Sequence, residues 1–232
     1  MTLQYKYIFF DLDRTLWDFD SSSKMAFHDI YHKYELQQLG INSVESFFEA
    51  YTIHNNELWA KYRVGGIEKE LLRTLRFQLT LQDFGINDKE MAKHLGEDYL
   101  EIMPLKVGLF PNAIEILDYL KPKYQLHLIT NGFSEVQAAK LNVSGLDKYF
   151  GVVVTSEEAG FKKPDARIFN FALKEAGAGT EESLMVGDDR EVDIEGAKNI
   201  GMDQVLFDPD GKYERNGSTY YIRDLMELKG IL

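Results

Sequence analysis

Apolar residues along this chain follow two rhythms, and the change between them divides it. Short unbroken runs at 7–10, 126–129, 152–154 and 184–186 each end in polar or glycine punctuation. They are too short for helices of normal length and predict buried strands, with a fifth run at 205–207. Between them the spacing turns helical: Ala113, Ile116, Leu117 and Leu120 predict a helix over 112–120, and Ile168, Phe171, Ala172 and Leu173 one over 164–176. Strands alternating with helices imply parallel βαβ units. The expected fold is α/β, a three-layer sandwich around a parallel, Rossmann-like sheet.

Residues 21–103 break the alternation. Phe27, Ile30, Tyr31 and Tyr34 repeat at helical spacing, as do Phe47, Phe48 and Tyr51, and then Leu71, Leu72, Leu75 and Leu79. Turn signals at Gly40, Gly65, Gly66 and Gly85 separate these segments. An all-helical domain inserted after the first strand is expected, spanning 19–105, with 1–18 and 106–232 forming the α/β core.

Composition narrows the class. In 232 residues, 44% are hydrophobic, enough for a real core, and the formal charge of -12 argues against a nucleic-acid polymer or an anionic membrane as partner. A small anion remains possible where a few cations are placed locally. The absence of cysteine excludes disulfides and thiolate metal sites and fits a reducing cytoplasm. The opening MTLQYKYIFF lacks the basic and long apolar regions of a signal peptide, and no apolar stretch approaches the roughly 20 residues of a membrane span. A soluble, cytoplasmic protein is expected, of undetermined oligomeric state.

In an open parallel sheet, ligands bind at the carboxyl ends of the strands. Asp11, Asp13 and Thr15 follow the first run, and Thr130, Asn131 and Gly132 the second. Lys162 and Lys163 come a short loop after the third, and Gly187, Asp188 and Asp189, with Asp193 beyond, follow the fourth. Each group has a plain structural reading as a cap, a tight turn or a solvated lysine. Those readings leave unexplained why all four end strands in this order. A divalent cation would make the crowded carboxylates tolerable, and without Cys or clustered His the chemistry favours a hard, oxygen-seeking ion such as Mg²⁺. With it, Asp11 could be a nucleophile towards phosphorus and Asp13 a general acid and then base. Thr130 and the backbone N–H groups of Asn131 and Gly132 would hold phosphate oxygens, and Lys163 would neutralise charge.

FDLDRTL (10–16), ITNG (129–132), KPD (163–165) and GDD (187–189) through Asp193 resemble the motifs of the haloacid dehalogenase-like hydrolase superfamily, from one end of the chain to the other. The resemblance implies Asp11 as nucleophile and Asp13 as acid/base. It also implies a Mg²⁺ held by Asp11, the Asp13 backbone carbonyl and Asp188, with Asp189 and Asp193 orienting the surroundings. Lys163 is preferred over Lys162 because the family lysine directly precedes the proline. Arg14 stands where the family often has glycine. Dehalogenases of the superfamily lack an acid/base at the position of Asp13, so the likeness points to phosphate esters. The insertion resembles the helical cap of one large branch, which would act as a lid.

Three segments, ELWAKYRVGGI (57–67), ITNGFSEVQAAKL (129–141) and VVVTSEEAGFKKPDARIFNFAL (152–173), are similar to YjjG/YfnB-type pyrimidine 5'-nucleotidases. A small-molecule phosphate ester, a pyrimidine nucleoside monophosphate, is the implied substrate. The alternatives are a phosphatase or phosphomutase for small sugar phosphates, and a non-catalytic binding protein. Phe19, Phe27, Phe47, Phe48, Tyr51, Trp59 and Tyr62 could stack on a base or pack helices together. Trp59, Tyr62 and Arg63, just before the glycine pair, are the specificity candidates.

Overall fold

The computed structural model describes residues 5–215 and 217–232. Residues 1–4, on which the reading of the N-terminus partly falls, lie outside them. In chain order, β1 (Tyr7–Phe10) leads into helices α1 (Phe19–Lys33), α2 (Val44–Arg63), α3 (Lys69–Asp83) and α4 (Lys89–Ile102). Next come α5 (Ala113–Leu120), β2 (Gln125–Thr130), α6 (Ser134–Ser144), β3 (Val152–Thr155), the single turn α7 (Ser156–Ala159) and α8 (Ala166–Ala176). The sheet is completed by β4 (Ser183–Gly187), β5 (Asp203–Phe207) and β6 (Tyr220–Ile222). Two compact units result: Met1–Phe19 with Val107–Leu232, and Asp20–Lys106.

The first unit is a six-stranded sheet in the order β3-β2-β1-β4-β5-β6, with every pair parallel. Ile8 and Phe10 turn to one face, where Ile116 and Leu117 of α5 and Leu141 of α6 complete the core. Phe9 turns to the other, against Ile168, Phe169 and Ala172 of α8. This is the two-residue period of a strand, and burial on both faces explains why β1 reads as unbroken apolar sequence. The strand order reverses between β1 and β4, so the crevice for a ligand lies outside the carboxyl ends of these two central strands.

Two details differ from the sequence reading. β2 and β4 run longer than their apolar runs, because Thr130 pairs with Thr155 and Gly187 with Leu206 in the ladders. The edge strand β6 carried no signal of its own; three residues give no periodicity, and only pairing with β5 defines it.

The second unit is all-helical among its described residues. Ser43 caps α2 by accepting the Ser46 N–H at 3.1 Å, and Asp88 caps α4 by accepting that of Met91 at 2.9 Å. Its core is aromatic. The ring of Phe27 lies 5.2 Å from that of Phe47, 4.4 Å from Tyr51, 5.9 Å from Phe77 and 5.5 Å from Tyr99. Phe27, Phe47 and Tyr51 are therefore packing residues, each pair adding about 0.5–1.5 kcal/mol beyond its area burial. Among the described residues, no helix is long and apolar enough to cross a membrane.

Candidate active site

β1 ends at Phe10, and the next residue, Asp11, is buried with its N–H donated to the Val186 carbonyl of β4 at 2.9 Å. That bond sets the carboxylate at the crevice. Lys163 reaches it from the loop before α8. Its ammonium donates to Asp11 Oδ1 at 2.6 Å, Asp193 Oδ1 at 2.6 Å and the Ile129 carbonyl at 2.8 Å, which uses all three of its protons. The loop is pinned by Asn131: its side-chain Oδ1 accepts the Lys163 N–H at 2.8 Å and its Nδ2 donates to the Lys163 carbonyl at 2.9 Å.

Carboxylate oxygens of Asp11, Asp188 and Asp193 lie within 4.8 Å of one another. Burial raises the Asp11 carboxyl to about 7; Lys163 opposes the rise and Asp193 adds to it. Asp188 is pushed well above the usual range by burial, then by Asp193 and Asp11, with Arg14 opposing. Burial also raises Asp193, against the pull of Lys163. For Lys163 burial works downwards, yet Asp11 and Asp193 outweigh it and its pKa lies above the ordinary value. Two buried carboxylates, Asp11 and Asp193, thus share one ammonium, and the half-buried Asp188 stands beside them. An all-oxygen, net-negative cluster of this kind fits a hard divalent cation such as Mg²⁺.

Asp193 is the most committed of the three, since its Oδ2 also accepts the Asp189 N–H at 3.2 Å. Asp189 itself turns away and caps the following turn, accepting the Glu191 and Val192 N–H groups at 3.0 Å each. Gly187 makes this possible: a Cβ there would stand 2.4 Å from Asp193 Oδ2. Thr15 is buried and donates weakly to Asp188 Oδ1 at 3.4 Å. Arg14 holds φ at 65°, in the left-handed region that suits glycine and costs other residues about 1–2 kcal/mol. Its guanidinium lies over the Phe19 ring at 4.9 Å.

Asp13 does not join the carboxylate cluster. Its side chain is held by α6, where Gln137 Nε2 donates to Oδ2 at 2.9 Å and the Lys140 ammonium pairs with Oδ1. Both α6 side chains are buried. Gln137 Nε2 also donates to Thr130 Oγ1 at 2.7 Å, and the Gly132 N–H donates to that same oxygen at 3.1 Å. The Gly132 N–H is therefore committed inside the protein, while the Thr130 hydroxyl keeps its own proton to donate. Gly132 is needed sterically, because a Cβ would fall 2.1 Å from Gln137 Nε2.

Gln137 and Lys140 were missed in the sequence. At i and i+3 on a helix they read as a solvated polar face, and only a burial pattern could have singled them out. The specificity candidates lie on the last turn of α2. Tyr62 is buried, Trp59 and Arg63 are half-buried, and the Trp59 and Tyr62 rings meet edge to face at 5.5 Å.

A central parallel sheet with an inserted helical unit, and acids ending its two middle strands beside a buried lysine, defines a hydrolase class. The chain belongs to the haloacid dehalogenase-like hydrolases, whose family model matches residues 5–201. It is 31% identical over 237 residues to the pyrimidine 5'-nucleotidase YjjG of Escherichia coli, covering 99% of each chain. It is also 31% identical over 207 residues to the pyrimidine 5'-nucleotidase PynA of Streptococcus pneumoniae, covering 88% of this chain and 84% of that one. The crystal structure of the HAD-hydrolase YfnB of Bacillus subtilis, bound to magnesium, is similar with a TM-score of 0.88 at 27% identity, covering 99% of both chains.

Proposed function

We propose that this hydrolase is a Mg²⁺-dependent phosphomonoesterase that works through an aspartyl-phosphate on Asp11, and that its substrates are pyrimidine nucleoside 5'-monophosphates. The observation that carries the chemistry is the convergence of Asp11, Asp188 and Asp193 on one another, with Lys163 bonded to Asp11 and Asp193 and with Asp13 held apart. The names of YjjG and PynA support the substrate class.

Asp11, Asp188 and the Asp13 backbone carbonyl would hold the Mg²⁺, which when bound neutralises charge on the phosphate oxygens. An Asp11 carboxylate oxygen attacks phosphorus and the bond to the ester oxygen breaks, while the Asp13 carboxyl donates a proton to the departing alkoxide. In the second half Asp13 takes a proton from water, the water oxygen attacks phosphorus, and the Asp11–phosphorus bond breaks to release inorganic phosphate. Lys163 keeps Asp11 oriented and offsets charge. The Thr130 hydroxyl and the Asn131 N–H donate to the non-bridging oxygens; Asp193 holds Lys163, and Asp189 holds Asp193 through its N–H.

The test is phosphate release with Mg²⁺ from pyrimidine and purine monophosphates, sugar phosphates and p-nitrophenyl phosphate. Preference for the pyrimidine monophosphates, lost on chelation and restored by Mg²⁺, is expected. Equal release from every ester, or release only from sugar phosphates, removes the nucleotidase reading.

The separate holding of Asp13 makes its own prediction. Asp13→Asn should slow kcat by about 10²–10⁴-fold with little change in the Mg²⁺ concentration needed for half-activity, because the backbone carbonyl remains. Lys140→Met should slow kcat by about tenfold or more, the scale on which misplacing a proton-transfer group is felt. In the double variant the two losses should not multiply, since both act through one carboxylate. Multiplying losses would show that Lys140 acts elsewhere.

A further inference from the structure

The turn that carries the acids beyond β4 is wound unusually. Arg190–Glu195 forms a π-helical turn, in which the Asp189 carbonyl accepts the Asp193 N–H at 2.9 Å and also the Ile194 N–H, five residues on, at 3.3 Å. Such winding is rare and is found mostly as single turns at functional sites. Here it folds Asp193 back, so that Oδ1 meets Lys163 and Oδ2 meets the Asp189 N–H.

The connection between β5 and β6, which the chemistry above does not use, is packed against this turn. Asp208, directly after β5 and 2% exposed, anchors it. Its carboxylate accepts the Lys212 N–H at 2.9 Å, the Tyr213 N–H at 2.8 Å and the Tyr221 hydroxyl at 2.8 Å. From that anchor the half-buried Tyr213 side chain reaches the acids, and its hydroxyl oxygen faces the Arg190 N–H. Burial, then Asp189 and Asp188, raises the phenol above its usual value, so it keeps its proton. A second contact lies at Gly217, which holds φ at 90° and where a Cβ would stand 2.8 Å from Arg190 Nη2. The Lys198 ammonium donates to the Gly217 carbonyl at 3.3 Å.

We propose that Tyr213 is a positioning residue for the metal site, holding the π-helical turn so that Asp188 and Asp193 keep their spacing, with Asp208 as its anchor. The proposal rests on the reading of these acids as a Mg²⁺ site and extends it to a segment that supplies no ligand. A neutral hydroxyl suits the task. A cation in its place would compete with the metal for the acids, and a further carboxylate would add repulsion to a cluster already rich in negative charge. Outer partners of this kind orient the groups that hold a metal, and losing one costs about 10–100-fold in metal affinity or activity.

The experiment titrates Mg²⁺ into the full chain and reads two quantities, the rise in Tm and the release of phosphate from p-nitrophenyl phosphate. Tyr213→Phe removes only the hydroxyl. It should need about 10–100 times more Mg²⁺ than the wild type for the same rise in Tm, and its half-activating Mg²⁺ concentration should move by the same factor. Asp208→Asn weakens the anchor and should shift the Mg²⁺ requirement in the same direction; a wild-type requirement there would overturn its part. An unchanged Mg²⁺ requirement in Tyr213→Phe overturns the proposal, and a lower Tm without added ion would then make the contact purely structural. If the Mg²⁺-dependent rise in Tm is weakened in Tyr213→Phe while the wild type hydrolyses no ester, the phosphomonoesterase reading fails and the role of Tyr213 stands. If Mg²⁺ does not raise the Tm of the wild type at all, the metal site is overturned and the proposal with it.

Discussion

Asp11→Asn is expected to abolish phosphate release, by at least about 10⁴-fold, while leaving a folded protein. The first half follows from bonding: an amide oxygen is too poor a nucleophile to displace an alkoxide from phosphorus, and Asp11 is the carboxylate that meets Lys163 at the edge of β1. Loss of a proton-transfer group alone removes about 10²–10⁴-fold, so a residual activity above about a hundredth of wild type would assign Asp11 the wrong role. The second half follows from burial. The Asp11 carboxyl is already raised to about 7 by its surroundings, so ionisation there is disfavoured and a neutral amide of equal size relieves repulsion from Asp193. Lys163 keeps Asp193 and the Ile129 carbonyl as partners. The Tm of Asp11→Asn, measured without added divalent ion, should match or exceed that of the wild type. A folded, inactive variant separates a chemical role from a structural one.

Lys163→Met should do the opposite and damage both stability and activity. The ammonium is buried and is hydrogen-bonded to two buried carboxylates and a carbonyl. Methionine fills the space but leaves Asp11 and Asp193 facing each other without a counter-charge. Breaking a buried pair in this way costs about 3–5 kcal/mol, which for a chain of this size lowers Tm by about 6–20 °C. Activity should disappear as well, since Asp11 loses the group that orients it. Adding Asp193→Asn to Lys163→Met removes one of the stranded charges and should recover part of the Tm without recovering turnover. An unchanged Tm in Lys163→Met would show that these carboxylates do not depend on the lysine.

These two variants concern residues that the chain itself makes visible. A buried strand must be apolar on both faces, so β1 announces itself, and an acid at its end is conspicuous because it interrupts such a run. The same logic marks Thr130, Asp188 and the Lys163-Pro164 pair. Parallel βαβ connection then orders the strands enough to gather groups 152 positions apart, as Asp11 and Lys163 are. The helical insertion was visible for a related reason, since an apolar stripe at helical spacing has few other uses.

What the chain could not show is which polar side chains the fold buries. Gln137, Lys140 and Arg76 look like ordinary solvated positions on amphipathic helices, and each is buried only because distant segments close over it. Lys140 needs Asp13, 127 positions away, and Arg76 needs Asn55 and rings from neighbouring helices. Asp189, which reads in sequence as one more site acid, spends its carboxylate on the next turn. Periodicity determined the elements and their order, because the hydrophobic effect acts on every apolar residue wherever it sits. The partner of each buried polar group was decided by tertiary structure alone, because a hydrogen bond depends on ångström-scale placement of atoms that sequence spacing does not encode.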